Sequence, residues 1–150
     1  MEKQNFYDLN FDHLKNFLTS KVEIDSTKAK MRAQQMFNAV YKKNIKSFDE
    51  LTTFSLELRE KIKKLISLEK PKIVDIQKSK DGTIKFLLEL KDKRNVETVL
   101  IPDKSQSRYT ICLSVSVGCY LSCEFCATAQ ISKNLVRNLT PGEIISQIIL

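Results

Sequence analysis

The sequence predicts an α/β protein in three segments. Residues 1–70 form a small helical accessory unit, 71–105 an antiparallel β-hairpin with linker strands, and 106–150 the first strand–helix unit of a larger α/β domain. Apolar residues recur at helical spacing as far as Ile66, and Pro71 closes that stretch. Alternating β-rich runs then flank an Asp81-Gly82 pair. A last alternating run feeds all 4 cysteines, and a capped helix follows.

In chain order, a short helical pattern runs from Phe11 to Leu18. Asp25, Ser26 and Thr27 offer N-caps for a helix to about Lys43, with Ala29, Ala33, Met36, Phe37 and Val40 on one face. Ser47 to Glu50 opens a helical region continuing through Ser55 to Ile66, striped by Leu58, Ile62, Leu65 and Ile66. Glu57–Lys61 and Glu60–Lys64 stand at i,i+4 in the favourable order. Beyond Pro71, residues 73–79 and 84–90 read as a hairpin turning at Lys80-Asp81-Gly82-Thr83, with Ile84, Phe86, Leu88 and Leu90 on one face. Residues 96–102 form a third strand in which Glu97 and Val99 share a face, and 109–118 a fourth. Thr140-Pro141-Gly142-Glu143 is a capping box with proline at the first helical position. The helix it starts, running to Leu150, places Ile144, Ile145, Ile148 and Ile149 on a face that needs covering. One strand–helix unit cannot make a parallel sheet, so the 150 residues are expected to be a piece of a larger domain.

Composition limits the function. The chain is 42% hydrophobic and 29% charged, which suits a folded core rather than disorder. No run approaches the ~18 apolar residues of a membrane span. The polar, acid-bearing start is not a targeting peptide, so the expected location is the cytoplasm. Only 3 glycines are present, and no Gly-rich phosphate cradle exists. Glu124, Lys133, Arg137 and Glu143 cancel over residues 119–150, so the net +7 lies entirely in residues 1–118. Between Thr27 and Ser47 stand Lys28, Lys30, Arg32, Lys42, Lys43 and Lys46 without one acid. Such a stretch is either a polyanion-binding patch, with nucleic acid the commonest partner, or a solvated helix face.

The cysteines are Cys112, Cys119, Cys123 and Cys126, all within 15 residues. A cluster this tight reads as a metal site rather than a disulfide framework. Cys119-x-x-x-Cys123-x-x-Cys126 can supply three thiolates to a cubane iron–sulfur cluster and leave one iron open. Zinc is the alternative, though it wants four ligands and no second pair is present; unrelated thiols are a third reading.

This spacing, with Phe125 before the last cysteine, resembles the motif of the radical S-adenosylmethionine (SAM) superfamily. The resemblance extends to DGTIKFLLEL, VETVLIP, the TIC-L-S segment, VGC with CEFCATAQ, and RNLTPGEIISQI. These are similar, in order, to segments of the RlmN family of adenosine methyltransferases. The upstream KMRAQQMFNAVYKKNIKSFDELTTFSLELREKI resembles that family's helical accessory domain. The resemblance implies that residues 106–150 begin an incomplete radical SAM partial (βα) barrel. It implies methylation of C2 of an adenosine in 23S rRNA, and in some members of tRNA, with a [4Fe-4S] cluster, SAM and an electron donor such as flavodoxin. C2 is electron-poor and does not attack a SAM methyl as a nucleophile, so radical chemistry is required.

The resemblance also assigns site residues. Cys119, Cys123 and Cys126 would hold the cluster, and Phe125 would shield it beside the SAM adenine. Cys112, seven residues before Cys119, would resolve a protein–RNA bond through a transient disulfide with a methyl-carrying cysteine. Glu97 would accept the C2 proton, a role that needs a base within hydrogen-bond reach. Their ordinary alternatives are a buried thiol, a solvent-facing glutamate and a core phenylalanine. Departures from the family pattern are Tyr109 in place of Gly or Ala, Val115 and Ser116 in place of Ser and Gln, and stretches 102–112 and 130–137 that each exceed the family's length by about two residues. The downstream Gly-Gly-x-Glu segment and the methyl-carrying cysteine are absent, so this chain alone is not expected to turn over, and a decayed or frameshifted gene stays open. The rivals are a C8 methyltransferase of the antibiotic-resistance type and a non-catalytic RNA-binding remnant.

Overall fold

The computed structural model describes residues 3–103, 105, 107–121, 123–127 and 136–149. The expected helix end at Leu150 and the Thr128–Gln130 part of the cysteine motif lie outside them. The chain divides into one unit up to Glu69 and another from Lys70.

In the first unit, strand β1 (Gln4–Asn5) precedes helices α1 (Phe11–Ser20) and α2 (Ser26–Phe37), and a π-helical turn extends α2 over Asn38–Lys42. Asn10 caps α1 by accepting from the His13 N–H, and Asp25 caps α2 through the Thr27 N–H. The α2 stripe is buried as its spacing predicts, at Ala29, Ala33, Met36 and Val40. The expected helical region from Ser47 to Ile66 is two pieces. A single 3-10 turn, Phe48–Glu50, carries its own capping box, and helix α3 (Leu56–Leu65) restarts on the Ser55 cap. Ile66–Ser67 is a strand, β2, parallel to β1. Other pairs stand where the i,i+4 pairs were expected: Lys61 meets Glu23 at 2.6 Å, and Lys63 meets Asp49 at 2.9 Å and Glu60, at i,i+3, at 2.8 Å. The N-terminal segment contributes more core than its polarity suggests. Phe6 and Tyr7 are buried among Phe37, Tyr41 and Phe48, with ring centroids 5.4–6.3 Å apart. Burial, and then Tyr41, push the Tyr7 hydroxyl up to about 12.

The second unit is built on an antiparallel sheet in the order β3 (Lys72–Lys78), β4 (Ile84–Glu89), β5 (Asn95–Asp103) and β6 (Arg108–Leu113). It therefore continues past residue 105 and takes in the strand that bears Cys112. Strand β3 is irregular between Ile73 and Asp75 and exposed along its length. Each of the three hairpin connections places a residue with positive φ before the closing strand, the third being Ser107 at φ +49°. Gly82 has φ +94° at the first and Lys93 φ +67° at the second.

A small core of Leu88, Leu90, Val96, Val117 and Leu139 lies on one face of the sheet. The run expected as one strand over 109–118 is interrupted at Ser114 and Val115. Its end, β7 (Ser116–Val117), pairs antiparallel with β8 (Arg137–Asn138), a strand the sequence reading leaves as loop. Helix α4 (Pro141–Ser146) has the expected capping box but is shorter. Its burial departs from the apolar pattern: Ile145 and Ile148 are exposed, whereas Ser146 and Gln147 are 1% and 3% exposed. Gln147 is drawn inward because its amide satisfies backbone groups of Ser114 that the departing strand leaves behind.

Candidate active site around the cysteine loop

The cysteine loop is pinned at its base. Ser116 pairs with Asn138 and Val117 with Arg137, while Val136 N–H donates to the Val117 carbonyl and Leu139 N–H to that of Val115, each at 2.9 Å. Val117 and Leu139 anchor this base in the core. Gly118 starts the loop at φ +79°, where a side chain would be strained. The loop then presents Cys119, Cys123 and Cys126, all half-buried. Leu121 N–H donates to Cys119 Sγ at 3.4 Å, and Cys126 N–H to the Cys123 carbonyl at 3.1 Å, closing a turn around Glu124 and Phe125.

No disulfide joins any of the four cysteines. Among the described residues no three His, Cys, Asp or Glu side chains are gathered closely enough to hold a metal ion. The donor set itself suits an iron–sulfur cluster: three soft thiols on one short, tethered loop. Phe125 is 91% exposed, outside the core formed by the described residues. Phe125→Ala is accordingly expected to change stability by less than about 0.5 kcal/mol, as chemical denaturation would show.

Arg137 ties the far end of the loop to two other elements. Its Nη1 and Nη2 donate to the two Glu143 oxygens, both at 2.7 Å, and its Nε donates to Asp92 Oδ2 at 2.9 Å. Glu143 also accepts from the Thr140 N–H at 2.9 Å, so one carboxylate caps α4 and grips Arg137. The Arg137 guanidinium holds both carboxyls below their ordinary range, and those two carboxylates push its own proton affinity up.

The remaining predicted residues lie on the sheet face opposite the core. Cys112 is paired with Val99, and Glu97 lies two residues before Val99 on the same strand, so Glu97 and Cys112 occupy diagonal positions on one open face. Lys85, also opposite Val99, completes the group, with Nζ 2.9 Å from Glu97 Oε1. Glu97 and Cys112 are both exposed among the described residues. Sequence reasoning missed Lys85. Alternation on β4 sets it on the face away from Ile84 and Phe86, and the hairpin register sets it opposite Val99, diagonal to Glu97.

In the helical unit, Lys28, Lys30, Lys42, Lys43 and Lys46 are exposed. Arg32 serves the fold: its Nη1 donates to Gln35 Oε1 and the Thr53 carbonyl, both at 3.0 Å, and its guanidinium lies 4.8 Å from the Phe54 ring centroid. No described helix is long and apolar enough to cross a membrane.

Residues 4–68 match a family model described as the ribosomal RNA large subunit methyltransferase N-terminal domain. The chain is 41% identical to the dual-specificity RNA methyltransferase RlmN of Campylobacter fetus subsp. fetus, over 97% of this chain and 41% of that protein. It is 40% identical to a probable dual-specificity RNA methyltransferase RlmN of Staphylococcus epidermidis, over 99% of this chain and 38% of that one. The chain thus spans about two-fifths of the length of these curated relatives. Its structure resembles the crystal structure of a radical SAM methyltransferase from Sphaerobacter thermophilus, with TM-score 0.81 and 32% identity over 97% of this chain and 40% of that one. Alignment along almost its whole length with these methyltransferases, over a fold shared with one of them, makes the chain a member of the RlmN family.

Proposed function

We propose that the chain serves as part of a radical SAM enzyme that methylates C2 of an adenosine in 23S rRNA, and in tRNA. One observation carries the reading. In a chain aligned along 97% of its length with an RNA methyltransferase, the strand bearing Cys112 shares a face with Glu97 and leads into the Cys119–Cys126 loop. The thiolates of Cys119, Cys123 and Cys126 would hold a [4Fe-4S] cluster, which with SAM bound would supply an electron for cleavage of the sulfonium, with flavodoxin a fitting donor. Phe125 covers the loop beside the SAM adenine. Glu97 takes the proton from C2 of the substrate base, and Lys85 keeps its carboxylate turned over the open face. The Cys112 thiolate attacks the sulfur of a methyl-carrying cysteine elsewhere in the enzyme once that sulfur is joined through its methylene to C2; the S–S bond forms, the S–CH2 bond breaks, and its electron pair passes to the base, whose methylene takes a proton to become the methyl group. Lys28, Lys30, Lys42, Lys43 and Lys46 dock the RNA backbone, so binding weakens as salt rises. The three segments divide the work: 1–70 for RNA docking, 71–105 for the sheet bearing Glu97, and 106–150 for the cluster. All of it takes place in the cytoplasm, where the RNA is.

Deleting the gene from its host and mapping methylated adenosines in 23S rRNA and tRNA by mass spectrometry tests this. Loss of 2-methyladenosine is expected. Loss of 8-methyladenosine instead would assign the C8 reaction, and an unchanged RNA methylation map would leave only an RNA-binding role.

A further inference from the structure

Strand β6 parts from β5 beside Glu97. The register of Thr98 with Leu113, carried one step further, sets Glu97 opposite Ser114. That rung is made by a side chain. The Ser114 hydroxyl donates to the Glu97 carbonyl at 2.7 Å and accepts from the Glu97 N–H at 3.3 Å. Ser114's own backbone is held by Gln147: its N–H donates to Oε1 at 3.1 Å, and its carbonyl accepts from Nε2 at 2.9 Å. Oε1 also accepts from the Thr98 hydroxyl at 2.8 Å, and Nε2 also donates to the Glu143 carbonyl at 3.2 Å. Both donors and both lone pairs of the buried amide are therefore used. Such a network has one satisfied arrangement, and breaking any member leaves a buried polar group without its partner.

We propose that Ser114 and Gln147 are positioning residues for Glu97 and Cys112. Gln147, just past the end of α4, fixes the point at which β6 leaves the sheet. The Ser114 hydroxyl grips both backbone groups of Glu97, and Cys112 lies two residues upstream on the same strand. The aim of the two side chains over their shared face is thus set from the helix that follows the cysteine loop. This rests on the reading that Glu97 and Cys112 act on the substrate. Without the clamp, β6 can either add the missing backbone rung or fray, and both movements redirect Glu97.

The test compares Ser114→Ala, Gln147→Leu and Ser114→Thr with the unmodified chain. Amide exchange is read residue by residue by NMR, and Cys112 alkylation by mass spectrometry. The alanine and leucine variants are expected to speed exchange at Glu97 and alkylation at Cys112 by about tenfold, while amides of Leu88 and Val96 stay slow. Ser114→Thr keeps the hydroxyl and is expected to stay slow throughout. Unchanged rates at Glu97 and Cys112 overturn the proposal. So does a rise shared by Leu88 and Val96, which would mean general support of the sheet, and so does a threonine variant as fast as the alanine one. Neither readout uses RNA or the iron–sulfur group, so this result stands apart from the methylation map.

Discussion

Cys123→Ala should abolish stoichiometric iron binding after anaerobic reconstitution with iron and sulfide, and leave the fold standing. Cys123 is half-buried on the loop, and its carbonyl accepts a hydrogen bond from the Cys126 N–H. Removing the sulfur atom takes away a ligand and little packing, so the stability change is expected to stay within about 1 kcal/mol. A cubane held by only three protein thiolates has no spare ligand, and two are not enough to retain it. Cys119→Ala and Cys126→Ala should behave alike. Cys112→Ala is the control: its side chain lies on the sheet face, and iron content should not change. Iron analysis and the broad visible absorbance of the reconstituted protein check all four. Equal iron in Cys112→Ala and Cys123→Ala, whether high or low, would refute the ligand assignment.

Arg137→Met should lower stability by about 2 kcal/mol, between the values for exposed and buried ion pairs. Arg137, Glu143 and Asp92 have side chains 30%, 17% and 34% exposed, and the substitution strands two carboxylates at once. It should also change how stability depends on pH. In the folded chain Arg137 holds the Glu143 and Asp92 carboxyls below their ordinary range; in the unfolded chain they return to it. Over the interval between, the unfolded chain binds more protons, so stability rises with pH there. The contribution is full above the ordinary carboxylate range and is lost as pH falls through the depressed folded values. Without Arg137 the folded and unfolded values draw closer, leaving the smaller lowering by the Thr140 and Arg94 backbone N–H groups. Denaturation midpoints between about pH 6 and pH 3 should therefore fall less in Arg137→Met than in the unmodified protein. Parallel acid limbs would show that the network contributes geometry but no charge linkage.

What could be read from the sequence follows from how locally each feature is encoded. The Asp81-Gly82 turn is legible because its positive φ calls for glycine; the turn at Lys93 adopts a similar φ with a residue that gives no sign of it. The α2 stripe is legible because four of its positions are buried at helical spacing. Pairings only two residues long, β1 with β2 and β7 with β8, leave no periodicity to detect. The outward turn of Ile145 and Ile148 was hidden for a different reason. The winning interaction is the Gln147 amide on the backbone of Ser114, a residue 33 positions away. For the site, the cysteine spacing is a local signal and was readable at once. The shared face of Glu97 and Cys112 depends on the β5–β6 register, a pairing between two separate strands, and Lys85 joins them only once β4 is in register as well.

The irregularity in β3 has a consequence for solubility. Among the described residues this strand has a neighbour on one side only, and it shows Ile73, Val74 and Ile76 to solvent. An outermost strand with apolar side chains invites another chain to zip onto it. The kink between Ile73 and Asp75 breaks the even run of backbone groups that such zipping needs, and Lys72, Asp75 and Lys78 add charges along the same margin. The protein thereby carries its own guard against self-association at the place where its sheet is least covered.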